Sequence, residues 1–84
     1  MDNRETRVAV ISIIVESPER VGEINDILHD CADAIIGRMG LPYKEKKINI
    51  ISIVVDAPLN VINNISGRLG RLEGVTAKAA DAKC

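Results

Sequence analysis

The sequence predicts an α+β fold: a ferredoxin-like βαββαβ sandwich, with one antiparallel four-stranded sheet and two helices on one face. Three observations point to it. Residues 48–56, Ile-Asn-Ile-Ile-Ser-Ile-Val-Val-Asp, hold six apolar β-branched side chains in nine positions, which suits a pleated, largely buried strand. Residues 10–21 align on 50–61 at an offset of 40, with identities at Ile11/Ile51, Ser12/Ser52, Ile13/Ile53, Val15/Val55, Pro18/Pro58 and Val21/Val61. One strand-turn-helix unit is therefore used twice. A further short strand pattern follows each unit, and right-handed crossovers then set the two repeated strands side by side in the centre of the sheet.

The elements follow in order. Residues 1–6 form a polar tail. Residues 7–16 read as the first strand. Ser17 is a suitable N-cap, Pro18 a suitable first helical residue, and Glu19 favours the positive end of the helix dipole. Val21, Ile24, Ile27, Leu28 and Cys31 recur at helical spacing, predicting a helix over roughly 18–34. Residues 35–40 read as the second strand, 41–47 as a charged loop and 47–56 as the third strand. Pro58 opens a second helix with Leu59, Ile62, Ile65, Leu69 and Leu72 inward. Gly67 and Gly70 weaken its last turn by roughly 1 kcal/mol each. Gly74 precedes a last strand over 75–79, and residues 80–84 read as a frayed tail. The whole chain, 1–84, makes one domain with an ordered core of about 7–79.

Composition narrows the function classes. Hydrophobic residues are 46% and charged ones 27%, a globular balance. Tyr43 is the only aromatic residue, so the core is built from Ile, Val, Leu and Ala, and self-association would help so small a domain. A net charge of −1 argues against broad binding to nucleic acid or to an anionic membrane. Two cysteines, Cys31 and Cys84, do not make a disulfide framework. A charged N-terminus without a signal peptide, and no apolar run approaching about 18 residues, predict a cytoplasmic protein that neither crosses nor binds a membrane.

Alternation places Ile11, Ile13, Val15, Ile51, Ile53 and Val55 on one sheet face. It places Val8, Val10, Ser12, Ile14, Ile48, Ile50, Ser52 and Val54 on the other. Two helices cover only one face, and a solvated face should be polar. The second set is therefore expected to be an oligomer interface, in a homodimer or tetramer.

The stretch Arg7-Val-Ala-Val-Ile-Ser-Ile-Ile-Val15, then Gly40-Leu-Pro-Tyr43, Ile51 to Val55, and Gly67-Arg-Leu-Gly70 with Glu73-Gly74-Val75 resembles the iron-only hydrogenase system regulators. These small proteins are related to ACT domains and to the C-terminal domain of the nickel-responsive repressor. The resemblance implies an ACT-like fold, oligomers and a regulatory role near hydrogenase assembly. The repressor's nickel ligands are not carried over, because residues 36–52 hold neither His nor Cys. Its DNA-reading ribbon has no counterpart in six N-terminal residues, so no direct nucleic-acid binding is expected.

Chemistry-bearing constellations are few. His29 and Cys31 point about 200° apart on a helix and cannot share a metal, so no metal or cofactor is predicted. Gly37-Arg-Met-Gly40 and Gly67-Arg-Leu-Gly70 fit Gly-x-x-Gly, but a single aromatic offers no base-stacking platform, and close packing explains them better. The serines have no histidine base nearby in sequence, so no enzyme is predicted. Glu16 and Asp56, read as ending parallel neighbouring strands, could form a carboxylate pair, although repeated helix-start chemistry explains them better. For a small-molecule effector the candidates are Glu16, Ser17, Arg20 and Gly22, where ACT domains bind amino acids, together with Arg38, Gly40, Pro42 and Tyr43 of the following loop. Two functions remain: a regulatory module that binds an effector or protein partner at an oligomer interface, or an interaction module without a ligand.

Overall fold

A computed structural model of the protein describes residues 5–82. The expectations for the first four residues and for Cys84 lie outside them. The elements are β1 (Arg7–Val15), α1 (Val21–Asp30), β2 (Ile35–Tyr43), β3 (Ile48–Ala57), α2 (Leu59–Gly70) and β4 (Val75–Asp81). The sheet order is β2-β3-β1-β4, with every pairing antiparallel. This is the ferredoxin-like order, and the repeated strands β1 and β3 are its centre.

Both central strands feed the core with every second residue. Ile11, Ile13, Val15, Ile53 and Val55 are fully buried, and Ile51 nearly so. From above, α1 contributes Ile24, Ile27 and Leu28, and α2 contributes Ile62, Ile65 and Leu69. No polar or charged side chain is buried among the described residues. The inner layer is thus aliphatic throughout, as the near absence of aromatic residues requires.

Several local expectations are corrected. Residues 18–34 are not one helix. Pro18–Arg20 form a 3-10 turn, α1 stops at Asp30, and Ala32–Ala34 form a second 3-10 turn. Ser17 stands at the N-cap position of the first turn but makes no side-chain capping bond. The Gly-Leu-Pro-Tyr stretch is not a loop. It belongs to β2, which runs to Tyr43, and the connection is a 3-10 turn at Lys44–Lys46 closed by left-handed Lys47 (φ 57°). Pro42 is tolerated there because β2 is an edge strand. Leu59 is exposed rather than inward. The last strand runs to Asp81, beyond the predicted 79. Glu16 and Asp56 cannot pair as carboxylates, since β1 and β3 are antiparallel and Asp56 lies opposite Val8, at the far end from Glu16.

A bulge sets the facing of β2. Ile35 pairs with Val55, but Gly37 pairs with Val54, so Ile36 is an extra residue. Beyond it, Met39, Leu41 and Tyr43 align with Ser52, Ile50 and Ile48, while Arg38, Gly40 and Pro42 turn to the helix side with Ile53, Ile51 and Asn49.

Candidate functional site

The largest unexplained surface is the sheet face away from the helices. Its cross-strand rows follow from register. Gly37, Val54, Val10 and Ala80 form one; Met39, Ser52, Ser12 and Lys78 the next; Leu41, Ile50, Ile14 and Thr76 the third; Tyr43 and Ile48 begin a fourth. Val8 lies beyond the first row, opposite Asp56. Val8, Val10 and Ile14 are exposed by 43%, 39% and 42%, and Ile48, Ile50, Ser52 and Val54 are half-buried by their neighbours. The structure therefore brings the eight predicted interface residues onto one exposed surface. It also adds three that the sequence did not reveal: Met39, Leu41 and Tyr43. Continuous alternation from Ile35 would have put these under the helices, and only the bulge at Ile36 reverses them.

The eight effector candidates do not form one site. Glu16, Ser17 and Arg20 tie the β1–α1 turn to the turn before β4. The Glu16 amide donates to the Gly74 carbonyl at 2.7 Å. Arg20 donates to Glu23 Oε1 at 2.6 Å and to the Glu73 carbonyl at 3.3 Å. The hydrogen bond to Glu23 and that carboxylate's charge raise the Arg20 pKa above its usual range. A Cβ built on Gly74, which has φ +82°, would lie 2.2 Å from Ser17 Oγ. This residue must be glycine on both conformational and steric grounds. These contacts hold two turns together, while the Glu16 side chain itself is exposed. Gly22 is exposed and borders none of the hollows described below.

The other four candidates line a trough between α1 and β2. Over Gly40 is an open hollow of about 370 Å³ walled by Val21, Arg38, Pro42, Asn49 and Ile51. A Cβ at Gly40 would touch nothing, so no internal contact demands glycine there. Arg38 donates to Asn25 Oδ1 at 2.7 Å and separates this hollow from one of about 330 Å³ beside Leu28, His29 and Ala32. At the other end Pro18 joins Pro42, Tyr43, Lys44 and Lys47 around about 180 Å³. The Tyr43 hydroxyl donates to Glu45 Oε1 at 2.7 Å, and this bond, with some burial, raises the phenol's pKa.

No cluster of three potential metal ligands occurs among the described residues. Cys31, partly packed against the core, has its thiol pKa raised by burial, which keeps it protonated and weakly nucleophilic. No described helix is long and apolar enough to cross a membrane.

Comparison with known proteins places this architecture. Residues 7–79 match the family described as "TM1266-like: Iron-only hydrogenase system regulator, putative". The chain belongs to this family. Among solved structures it is similar to the uncharacterized protein TM1266 from Thermotoga maritima, with 30% sequence identity and a TM-score of 0.89, over 94% of this chain and 100% of that one. No curated protein matches. Family membership agrees with the resemblance carried by β1, Gly40-Leu-Pro-Tyr43 and Glu73-Gly74-Val75, and the shared fold extends over nearly the whole TM1266-like domain.

Proposed function

We propose that this TM1266-like protein is a non-catalytic regulatory module of the iron-only hydrogenase system, acting through a homo-oligomer, a dimer or tetramer, built on its open sheet face. One observation carries the reading: eleven residues on three adjacent strands of that face include no charged side chain, and six large ones, Val8, Val10, Ile14, Met39, Leu41 and Tyr43, stand well exposed. Fully burying an aliphatic side chain of this size stabilises by roughly 1.5–3 kcal/mol, so covering the patch yields a substantial driving force. Regulation would follow from an effector or protein partner that binds the assembled form better than the separate chains.

Light scattering at micromolar concentration tests the assembly. A mass above the 9.1 kDa of one chain is expected, and a clean monomer would sink the reading. Thermal-shift screening against amino acids, nucleotides and small anions then separates a sensor from a ligand-free interaction module, because a specific ligand raises the midpoint by an amount that grows with the logarithm of its concentration over Kd. The trough over Gly40, with the Arg38 guanidinium in its wall, is where such a ligand would be sought.

A further inference from the structure

Charge is distributed unevenly along β3. At one end the hairpin tip presents Lys44, Lys46 and Lys47, all exposed, while its one carboxylate, Glu45, is engaged by the Tyr43 hydroxyl. Glu16, at the same end, stands beyond β1 rather than at the tip. At the other end β3 reaches exposed Asp56, which alternation places on the open face with Ser52 and Val54. Among the described residues none of these lysines, nor Asp56, makes a salt bridge. Between them lies the uncharged field of β2, β3 and β1. An apolar surface is thus bounded by a cationic end and an anionic one.

A second copy can lay this face on itself about a two-fold axis in the plane of contact. With the axis along β3, Asp56 meets Asp56 and is repelled, while each hairpin tip comes between the other tip and Glu16 at the end of the other chain's β1, so this arrangement leaves Asp56 without a cation. With the axis across the strands, β3 is reversed over its own copy and each tip comes to the other chain's Asp56. An axis between Ile50 and Ser52, the middle of the field, would set Val54 of one copy over Ile48 of the other and leave Asp56 facing the lysine loop. Packed sheets cross by about 30°, an offset that long lysine side chains can span.

We propose that the open face binds a second copy of this chain in antiparallel orientation, with the lysine tip of each β2–β3 hairpin seated against the Asp56 end of the other. The proposal rests on reading that face as a self-association surface and adds its orientation. One consequence is that β2 lies over β2, so both hollows over Gly40 lie along the same edge of the dimer.

Charge exchange between chains tests the orientation. Asp56→Lys alone, and the tip variant Lys44→Glu/Lys46→Glu/Lys47→Glu alone, should each weaken dimerisation about tenfold at low salt, because both symmetric contacts become repulsive. An equimolar mixture of the two should recover wild-type affinity, since its mixed dimer pairs opposite charges at both ends. Sedimentation equilibrium reads all three, and circular dichroism confirms folding. Wild-type affinity in both variants, or no recovery on mixing, overturns the proposal. Should a variant fail to fold, Lys46→Cys mixed with Asp56→Cys, in a Cys31→Ser/Cys84→Ser background, decides it. Cross-linking between the two variants supports the antiparallel orientation, and Lys46→Cys linking only to itself overturns it. A monomeric wild type removes the open-face reading as well, so failure of the surface and failure of the orientation are distinguishable.

Discussion

The two faces of the sheet are made of the same residue types and meet opposite fates. Ile11, Ile13 and Val15 alternate along β1 with Val10, Ser12 and Ile14, yet the first set is fully buried and the second is exposed. On β3, Ile51, Ile53 and Val55 are buried, while Ile50, Ser52 and Val54 are only half covered. Strand composition therefore reports that a strand is apolar on both sides without saying what covers each. The helices supply the difference. α1 and α2 bring six buried aliphatics to one side, and the described residues hold no third layer for the other. The lesson is that an apolar second face on a two-layer domain records a partner that folding alone does not provide.

The largest effect should come from the covered face. Ile53→Ala should lower the unfolding free energy by about 2–5 kcal/mol, because a fully buried site within the aliphatic core leaves a cavity that collapses poorly. Equilibrium denaturation measures it. A loss similar to that of Ile14→Ala, measured under conditions where the chain is monomeric, would erase the distinction between the faces.

Next in size is the turn that closes the covered side. Gly74→Ala should cost about 1–3 kcal/mol, since it combines an unfavourable backbone region with overlap on Ser17. Pairing it with Ser17→Gly should recover the steric part and leave the conformational part, which a double-mutant cycle resolves.

On the open face the expected change is in assembly. Ile14→Asp and Ile50→Asp should dissociate the oligomer, seen by light scattering, while shifting monomer stability far less than any change at Ile53. If both variants remain native oligomers, the interface lies elsewhere.

The smallest effect is spectroscopic. Tyr43 is the only tyrosine, so tyrosinate absorbance titrates it alone. Its hydrogen bond to Glu45 raises the pKa, so ionisation should occur at more alkaline pH than in a free tyrosine, and Glu45→Gln should move it back down. Dilution below the oligomer's Kd should also lower it if the open face is covered in the assembly.

Element order, the central pairing of β1 with β3 and the covered face were legible in the sequence, because period-two alternation, helical spacing and the repeat all agreed. The ends of α1 were not. Pro18 and Glu19 look like helix-start chemistry, but backbone geometry makes a separate 3-10 turn there. The effector candidates divided for a similar reason. Sequence neighbourhood grouped Glu16, Ser17 and Arg20 as a ligand loop, and only the arrival of Glu73 and Gly74 from more than 50 residues away shows that they fasten two turns. Met39, Leu41 and Tyr43 were missed because nothing local marks the extra residue at Ile36.

That extra residue acts as a phase switch. Everything in β2 after it, through Tyr43, is displaced by half a period, so Arg38 faces the helices while Met39 and Leu41 face outward. Deleting Ile36 would leave the rows where they are, because Ile35 and Gly37 would then face Val55 and Val54 as ordinary neighbours; flattening the bulge with Ile36 kept in register would exchange them, putting a guanidinium into the apolar field and the methionine and leucine beneath α1. A one-residue slip in pairing, with no change of sequence, thus governs whether a whole strand advertises grease or charge.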